Sequence, residues 1–286
     1  MTVLRFKPTS SLVNDYDLFL LDIWGVIIEG DKLYPGVIDG INELMIKSKV
    51  FFVSNAPRPA SVIVGKLHLW GIETAAEEIV ITSGDIARTN IHNYQLSSGK
   101  VPIIYHLGED RNTDILANLD HIPADSINDA DILLISAMRD ENEDLNEFDE
   151  LLREAAKINI KAICANPDIM VPRRGIKGYC AGFFAEKYEK FGGKVLYTGK
   201  PHSVIYEEVF RRAPGINKNR ILMIGDTYET DIEGGNNAGV HSGLVLTGNA
   251  AKYHQDYEKI DDKLKSLYDN GARLEAIPTL VTSLNS

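Results

Sequence analysis

Four places along the chain set a chemistry-bearing side chain directly after an apolar run. Leu18-Phe19-Leu20-Leu21 leads into Asp22, Val50-Phe51-Phe52-Val53 into Ser54-Asn55, and the stretch from Lys194 to Thr198 into Gly199-Lys200. Ile221-Leu222-Met223-Ile224 leads into Gly225-Asp226, with Asp231 close behind. A carboxylate in such surroundings is costly unless something compensates its charge. Asp22 is therefore either a buried cap of the next turn or a functional group. Taken together, the set holds two or three carboxylates, a hydroxyl and an ammonium. Carboxylates that share a site repel unless a hard cation holds them, and Mg²⁺ is bound through one or two carboxylates plus a substrate phosphate. An ammonium and a hydroxyl suit the peripheral oxygens of a phosphoryl group. A carboxylate can also attack phosphorus to give an aspartyl phosphate. Convergence of all four places favours the functional reading of Asp22.

Convergence requires that the apolar runs be strands of one parallel sheet, whose carboxyl ends share an edge. Short apolar runs without polar alternation suit strands buried on both faces. The order strand, helix, strand, helix implies parallel pairing with right-handed crossovers. Val37, Ile41, Leu44 and Met45 recur at helical spacing after a turn-rich stretch from Gly25 to Gly36. Further helices are expected from Pro59 to about Leu69, from Ser203 to Arg212 and from Thr230 to Asn237. Strands are expected at Ile79 to Thr82 and at Gly243 to Thr247, the last clear one, with Lys194 to Thr198 in the same sheet. Met1 to Asp17 reads as a lead-in, and the tail from Ala250 as polar with weak helical periodicity. In the middle, strands at Val101 to Tyr105, Asp131 to Ser136 and Ala162 to Ala165 alternate with helices, the clearest from Asn146 to Lys157. The fold class is α/β: a doubly wound, Rossmann-type parallel-sheet core of residues 1–88 and 180–286 with an inserted α/β cap domain of residues 89–179. The acidic run Asp140 to Asp144 and the pair Arg173-Arg174 are expected as solvated turns.

The 286 residues, 44% hydrophobic and 25% charged, have an ordinary globular composition, enough for one large or two medium domains. A formal net charge of -11 argues against nucleic-acid or anionic-membrane partners. It leaves room for a small anionic substrate, because a metal ion reverses the sign locally. The start, Met1 to Asn14, lacks the basic and apolar parts of a signal peptide, and no apolar run approaches the ~20 residues needed to span a bilayer. Cys164 and Cys180 are too few for a disulfide framework and read as packing residues. A cytoplasmic protein is expected.

These pieces, Leu21-Asp22-Ile23-Trp24-Gly25-Val26, Phe52-Val53-Ser54-Asn55, Thr198-Gly199-Lys200-Pro201 and Gly225-Asp226-Thr227-Tyr228-Glu229-Thr230-Asp231, come in an order and spacing that resembles the haloacid dehalogenase-like (HAD) superfamily. The likeness is strongest to its subclass IIA, the 4-nitrophenyl phosphatase-like enzymes with an α/β cap, and runs from about residue 15 to 250. The resemblance implies that Asp22 is the nucleophile, that Ser54 and Asn55 shape the phosphoryl pocket, and that Lys200 offsets charge. It implies a Mg²⁺ held by Asp22, the backbone carbonyl of Trp24 and Asp226, with Asp231 as ligand or support. It places Asn166-Pro167-Asp168 of the cap near the substrate, a small phosphorylated metabolite. A monomer or a cap-mediated homodimer is compatible with this reading.

Trp24 departs from the family pattern. Phosphatases of the superfamily carry there a second aspartate that protonates the leaving group and then activates water, and an indole can do neither. General acid–base catalysis contributes about 10²–10⁴-fold, or ~3–5 kcal/mol of barrier. The resemblance thus implies either hydrolysis of phosphate monoesters, impaired or aided by another acid such as Glu29, or a binding protein for phosphorylated ligands with an intact metal site and little turnover. Other chemistries find no support. Gly199-Lys200 lacks the upstream glycine of a P-loop and is followed by Pro201, no GxGxxG occurs, and the seven histidines never pair at metal-ligand spacing.

Overall fold

The computed structural model describes residues 4–139, 144–173 and 176–284. Most of the acidic run before Leu145 therefore lies outside the described residues, as does Arg174. The chain divides into two compact units, one of Met1–Ser54, Ile63–Ile81 and Lys200–Ser286, the other of Asn55–Val62 and Thr82–Gly199. Both segments of the second are inserted in the sequence of the first, with Ile63–Ile81 between them.

The first unit is built on a sheet of seven strands in the order Phe6–Pro8, Leu280–Ser283, His241–Val245, Ile221–Gly225, Leu18–Leu21, Lys49–Ser54, Val80–Thr82. The five registered pairings are all parallel. Leu18–Leu21 and Ile221–Gly225 lie side by side at the centre, and every residue of both is buried, as unbroken apolar runs require. From this pair the chain winds outward in opposite directions, Leu18–Leu21 toward Lys49–Ser54 and Ile221–Gly225 toward His241–Val245. Their carboxyl ends thus flank a topological switch point, where open α/β sheets leave a crevice. The helix Val37–Lys47 buries Val37, Ile41 and Leu44, and Ser203–Arg212 buries Ile205, Tyr206 and Val209.

The second unit holds its own parallel sheet, in the order Val195–Tyr197, Lys161–Cys164, Ile132–Ile135, Ile103–Leu107, Ile122–Pro123. Helices Leu145–Lys157 and Ala181–Lys190 meet through Phe148 and Phe184, whose ring centroids are 4.7 Å apart. The Asp144 carboxylate caps the first of them by accepting from the Asn146 N–H at 2.9 Å.

Three expectations are corrected. The strand before Lys200 is Val195–Tyr197, and it pairs with Lys161–Cys164 in the second sheet rather than joining the core. Its apolar run specifies a strand, but parallel partners are chosen by distant chain that the run does not encode. The lead-in contains the edge strand Phe6–Pro8, which pairs with Leu280–Ser283. The tail contains that strand, beyond the last one expected, along with the helix Ile260–Arg273 that its periodicity predicts. Only Leu264, Leu267 and Gly271 of this helix are buried, so a narrow apolar stripe carries it. The segment at Thr230 also differs: a wide turn, Tyr228–Ile232, precedes a short helix, Glu233–Ala238. Cys164 and Cys180 are buried free thiols.

No helix among the described residues is long and apolar enough to cross a membrane.

The tail docks through Leu267, which is wholly buried with Tyr228, Leu244 and Val281. The Tyr228 hydroxyl donates to the Leu267 carbonyl at 2.7 Å. Leu267→Ala should lower stability by about 2–5 kcal/mol, read as a shift of the urea midpoint with an unchanged slope.

Candidate active site

Asp22 follows the central strand Leu18–Leu21, and its N–H continues the ladder by donating to the Ile224 carbonyl at 2.9 Å. The chain then turns sharply at Gly25, whose φ of +84° suits glycine. A second constraint acts at the same place: a Cβ on Gly25 would stand 2.1 Å from Asp226 Oδ2. Asp226 follows the neighbouring strand Ile221–Gly225. Its Oδ2 accepts from the Asn249 N–H at 2.6 Å and its Oδ1 from the Thr227 hydroxyl at 3.0 Å. Asp231 sits in the wide turn that comes next, where its Oδ2 accepts from the N–H groups of Asp226 and Thr227, both at 3.1 Å. That turn thereby folds the third carboxylate back over the end of its own strand.

Lys200 ties the cluster together from below. Its ammonium donates to Asp22 Oδ1 at 2.6 Å, Asp231 Oδ1 at 2.7 Å and the Val53 carbonyl at 2.9 Å. Lys200 is 2% exposed, and Asp22, Asp226 and Asp231 are buried with it. Burial pulls the lysine pKa down, but the carboxylates of Asp22 and Asp231 outweigh it and hold the ammonium above its ordinary value. Burial pushes the Asp22 carboxyl well up, Asp231 and Asp226 push the same way, and Lys200 opposes them. Asp226 is raised to about 7, by burial first and then by Asp231. Three buried carboxylates thus face one ammonium, with ligand oxygens all within 4.8 Å of one another. An all-oxygen set with surplus negative charge fits a hard divalent cation.

The remaining expected residues fall in two groups. Ser54 ends Lys49–Ser54 and is fully buried in the first unit, one residue beyond the Val53 carbonyl that Lys200 reaches. Trp24 lies between Asp22 and Gly25 and is 40% exposed. Asn55 belongs to the second unit, where its Nδ2 donates to Asp168 Oδ1 at 2.8 Å. The Asp168 N–H in turn donates to Asn166 Oδ1 at 3.1 Å, so Asn55, Asn166, Pro167 and Asp168 form one group there. His241 pairs through Nδ1 with the Tyr16 hydroxyl at 2.9 Å and is part of the packing.

Sequence reasoning missed the residues that hold Asp226. Gly248, at φ +58°, would place a Cβ 2.0 Å from Asp226 Oδ2, and its neighbour Asn249 supplies the 2.6 Å hydrogen bond. The Gly248 N–H donates to the Tyr34 hydroxyl, which donates to Glu29 Oε2, each at 3.0 Å. One signal was available. Gly248-Asn249 follows the strand beside Ile221–Gly225, so it had to emerge at the same sheet edge.

Comparison with known proteins agrees with this geometry. Residues 19–121 match a haloacid dehalogenase-like hydrolase family model and residues 197–269 a HAD-hydrolase-like one. The Sugar-phosphatase AraL of Bacillus subtilis is 30% identical over 87% of this chain and 90% of its own. The D-glycerol 3-phosphate phosphatase of Mycobacterium tuberculosis is 26% identical over 94% of this chain and 75% of its own. The crystal structure of a haloacid dehalogenase-like hydrolase from Brucella suis is 31% identical, superposes with a TM-score of 0.75, and covers 90% of this chain and 95% of that one. With its central strand pair, its inserted unit and its acidic cluster accounted for on these terms, the chain belongs to the haloacid dehalogenase-like hydrolases.

Proposed function

We propose that the protein hydrolyses small phosphate monoesters in the cytoplasm, with Mg²⁺ as its cation and Asp22 as the nucleophile. The observation that carries this reading is the buried cluster of Asp22, Asp226 and Asp231 around the single ammonium of Lys200. Two relatives support it: one is named a sugar-phosphatase and the other a D-glycerol 3-phosphate phosphatase, and phosphate-ester hydrolysis is what the names share.

In this reading an oxygen of Asp22 attacks phosphorus in line with the departing ester oxygen, giving an aspartyl phosphate whose phosphorus–oxygen bond water then cleaves to release inorganic phosphate and restore the carboxylate. Among the described residues nothing donates a hydrogen bond to Asp22 Oδ2, while Oδ1 is held by Lys200. One oxygen is thereby fixed and the other left for bond formation. Asp22, Asp226 and the Trp24 carbonyl would hold Mg²⁺, with Asp231 supporting them. The cation supplies positive charge that opposes repulsion in the cluster and neutralises the phosphoryl oxygens. The Lys200 ammonium, held above its ordinary pKa by Asp22 and Asp231, would offset charge on Asp22 and on the transferring group. Ser54 would hydrogen-bond the phosphoryl oxygens, and Asn55, Asn166, Pro167 and Asp168 keep the roles that the family resemblance implies.

The metal reading is tested by thermal stability. Mg²⁺ at about 100 times its Kd should stabilise the protein by about 2.7 kcal/mol. Asp226→Asn should abolish most of that gain. Gly25→Ala should do the same, because its Cβ would displace the Asp226 carboxylate. Full retention of the Mg²⁺ effect in both variants would refute the assignment.

Position 24 tests the chemistry. Trp24→Asp should raise turnover of an alkyl phosphate such as glycerol phosphate, by up to ~10²-fold if the new carboxylate is well placed. Turnover of 4-nitrophenyl phosphate should gain less, since its leaving group is already a stable anion. A thermal midpoint near that of wild type must be established first, because the substitution removes a large side chain. An unchanged alkyl-phosphate rate in the folded variant would show that another residue donates the proton, and Glu29→Gln would be the next measurement.

A further inference from the structure

Trp24 is the one exposed residue of its loop: from Asp22 to Ile28 every other position is buried. Chain connectivity keeps its backbone beside the acidic cluster. Asp22 is two residues before it, and Gly25, immediately after it, abuts the Asp226 carboxylate. An indole left 40% exposed forgoes hydrophobic stabilisation, yet this one is not loose. Trp70 meets it edge-on, with centroids 6.1 Å apart and planes at 85°. The Lys66 ammonium stands 5.3 Å from its ring centroid. The same loop offers no acid beyond Asp22: the residues that follow are Ile23, Trp24, Gly25, Val26, Ile27 and Ile28. Glu29, the next carboxylate in the chain, accepts a hydrogen bond from the Tyr34 hydroxyl. Within two residues of Asp22 this loop therefore carries a braced aromatic side chain and no further acid.

We propose that Trp24 selects the leaving group, and that the preferred substrates are phosphate esters of flat, acidic hydroxyls, the aryl and enol phosphates. The proposal rests on the hydrolase reading above and names its substrate class. The bond from an Asp22 oxygen to phosphorus forms while the bond from phosphorus to the ester oxygen breaks. The electron pair of the broken bond stays on that oxygen, which departs as an aryl oxide or enolate and takes its proton later from water. Such an anion needs no general acid, and its flat body stacks on the indole. The ammonium of Lys66 adds to that surface positive charge of the sign a departing anion requires.

The test compares two phosphonates that cannot be hydrolysed, phenylphosphonate and methylphosphonate. Their binding is measured by calorimetry in the presence of Mg²⁺ for wild type, Trp24→Phe and Trp24→Leu, each checked for an unchanged thermal midpoint. An aromatic stack predicts about 2- to 10-fold tighter binding of phenylphosphonate by wild type. Trp24→Phe should keep most of the preference and Trp24→Leu should lose it, while all three bind methylphosphonate alike. In parallel, KM for 4-nitrophenyl phosphate should rise in Trp24→Leu, and KM for glycerol phosphate should not. Equal wild-type affinity for the two phosphonates, alongside turnover of 4-nitrophenyl phosphate, would overturn the selection by Trp24 and leave the hydrolase reading standing. Absence of both turnover and phosphonate binding would overturn the two together. Equal wild-type affinities overturn the selection even if a variant fails to fold, and Trp24→Phe and Trp24→Leu each tie a preference to residue 24 independently.

Discussion

The structure turns on a charge imbalance that is built in and buried. Lys200 bridges Asp22 and Asp231 at 2.6 and 2.7 Å, while Asp226 lies beside them without an ammonium of its own. Removing such groups from water costs several kcal/mol per ion in real proteins, and pairing recovers it only where geometry and further hydrogen bonds are good. Here they are good for two of the three carboxylates. Asp231 is satisfied on both oxygens, and Asp22 on one. Asp226 relies on an N–H and a hydroxyl, and burial raises it to about 7. Such surplus charge is relieved either by protonating a carboxyl or by binding a cation, and an all-oxygen set suits the second.

That requirement explains why the site stands where it does. At the switch point, two fully buried strands end side by side and their chains leave in opposite directions, which brings Asp22 and Asp226 to neighbouring strand ends. The carboxylates approach so closely that backbone must give way. Gly25 and Gly248 both lie against Asp226 Oδ2, and each also has a positive φ. Steric demand and backbone conformation thus ask for the same residue at the same positions, which is the agreement between levels that makes a local structure unique.

Much of this was legible in the sequence because each central strand is a continuous apolar run broken by a charge. Asp22, Ser54, Lys200, Asp226 and Asp231 announce themselves as polar residues where polarity is expensive. What could not be read was pairing. The strand before Lys200 looks like a core strand but joins the other sheet, and nothing in Val195-Leu196-Tyr197 distinguishes the two outcomes. The edge strand Phe6–Pro8 and its neighbour Leu280–Ser283 are short, and Phe6–Pro8 is exposed along its length, so it carries no buried period to detect. Asn249 escaped notice for a related reason. Its contribution to Asp226 is made by a backbone N–H, which every residue but proline possesses and no side-chain pattern reveals.

Position 24 behaves differently from all its neighbours, and the reason is geometric. Ile23 is packed, Gly25 is pinned by its φ and by Asp226, and Asp22 is pinned by Lys200. Each of these is dictated by the protein itself. Any ligation by residue 24 would use its backbone carbonyl, which is indifferent to side-chain type, and its side chain is exposed rather than held in the core. Packing therefore places few demands on what stands there. The tryptophan and its brace of Trp70 and Lys66 are then better explained by what the loop meets from outside than by what it packs against. The rigid part of the site, set by charge and glycine, fixes the chemistry at phosphorus, and the one position that rigidity leaves open is where this chain can distinguish one ester from another.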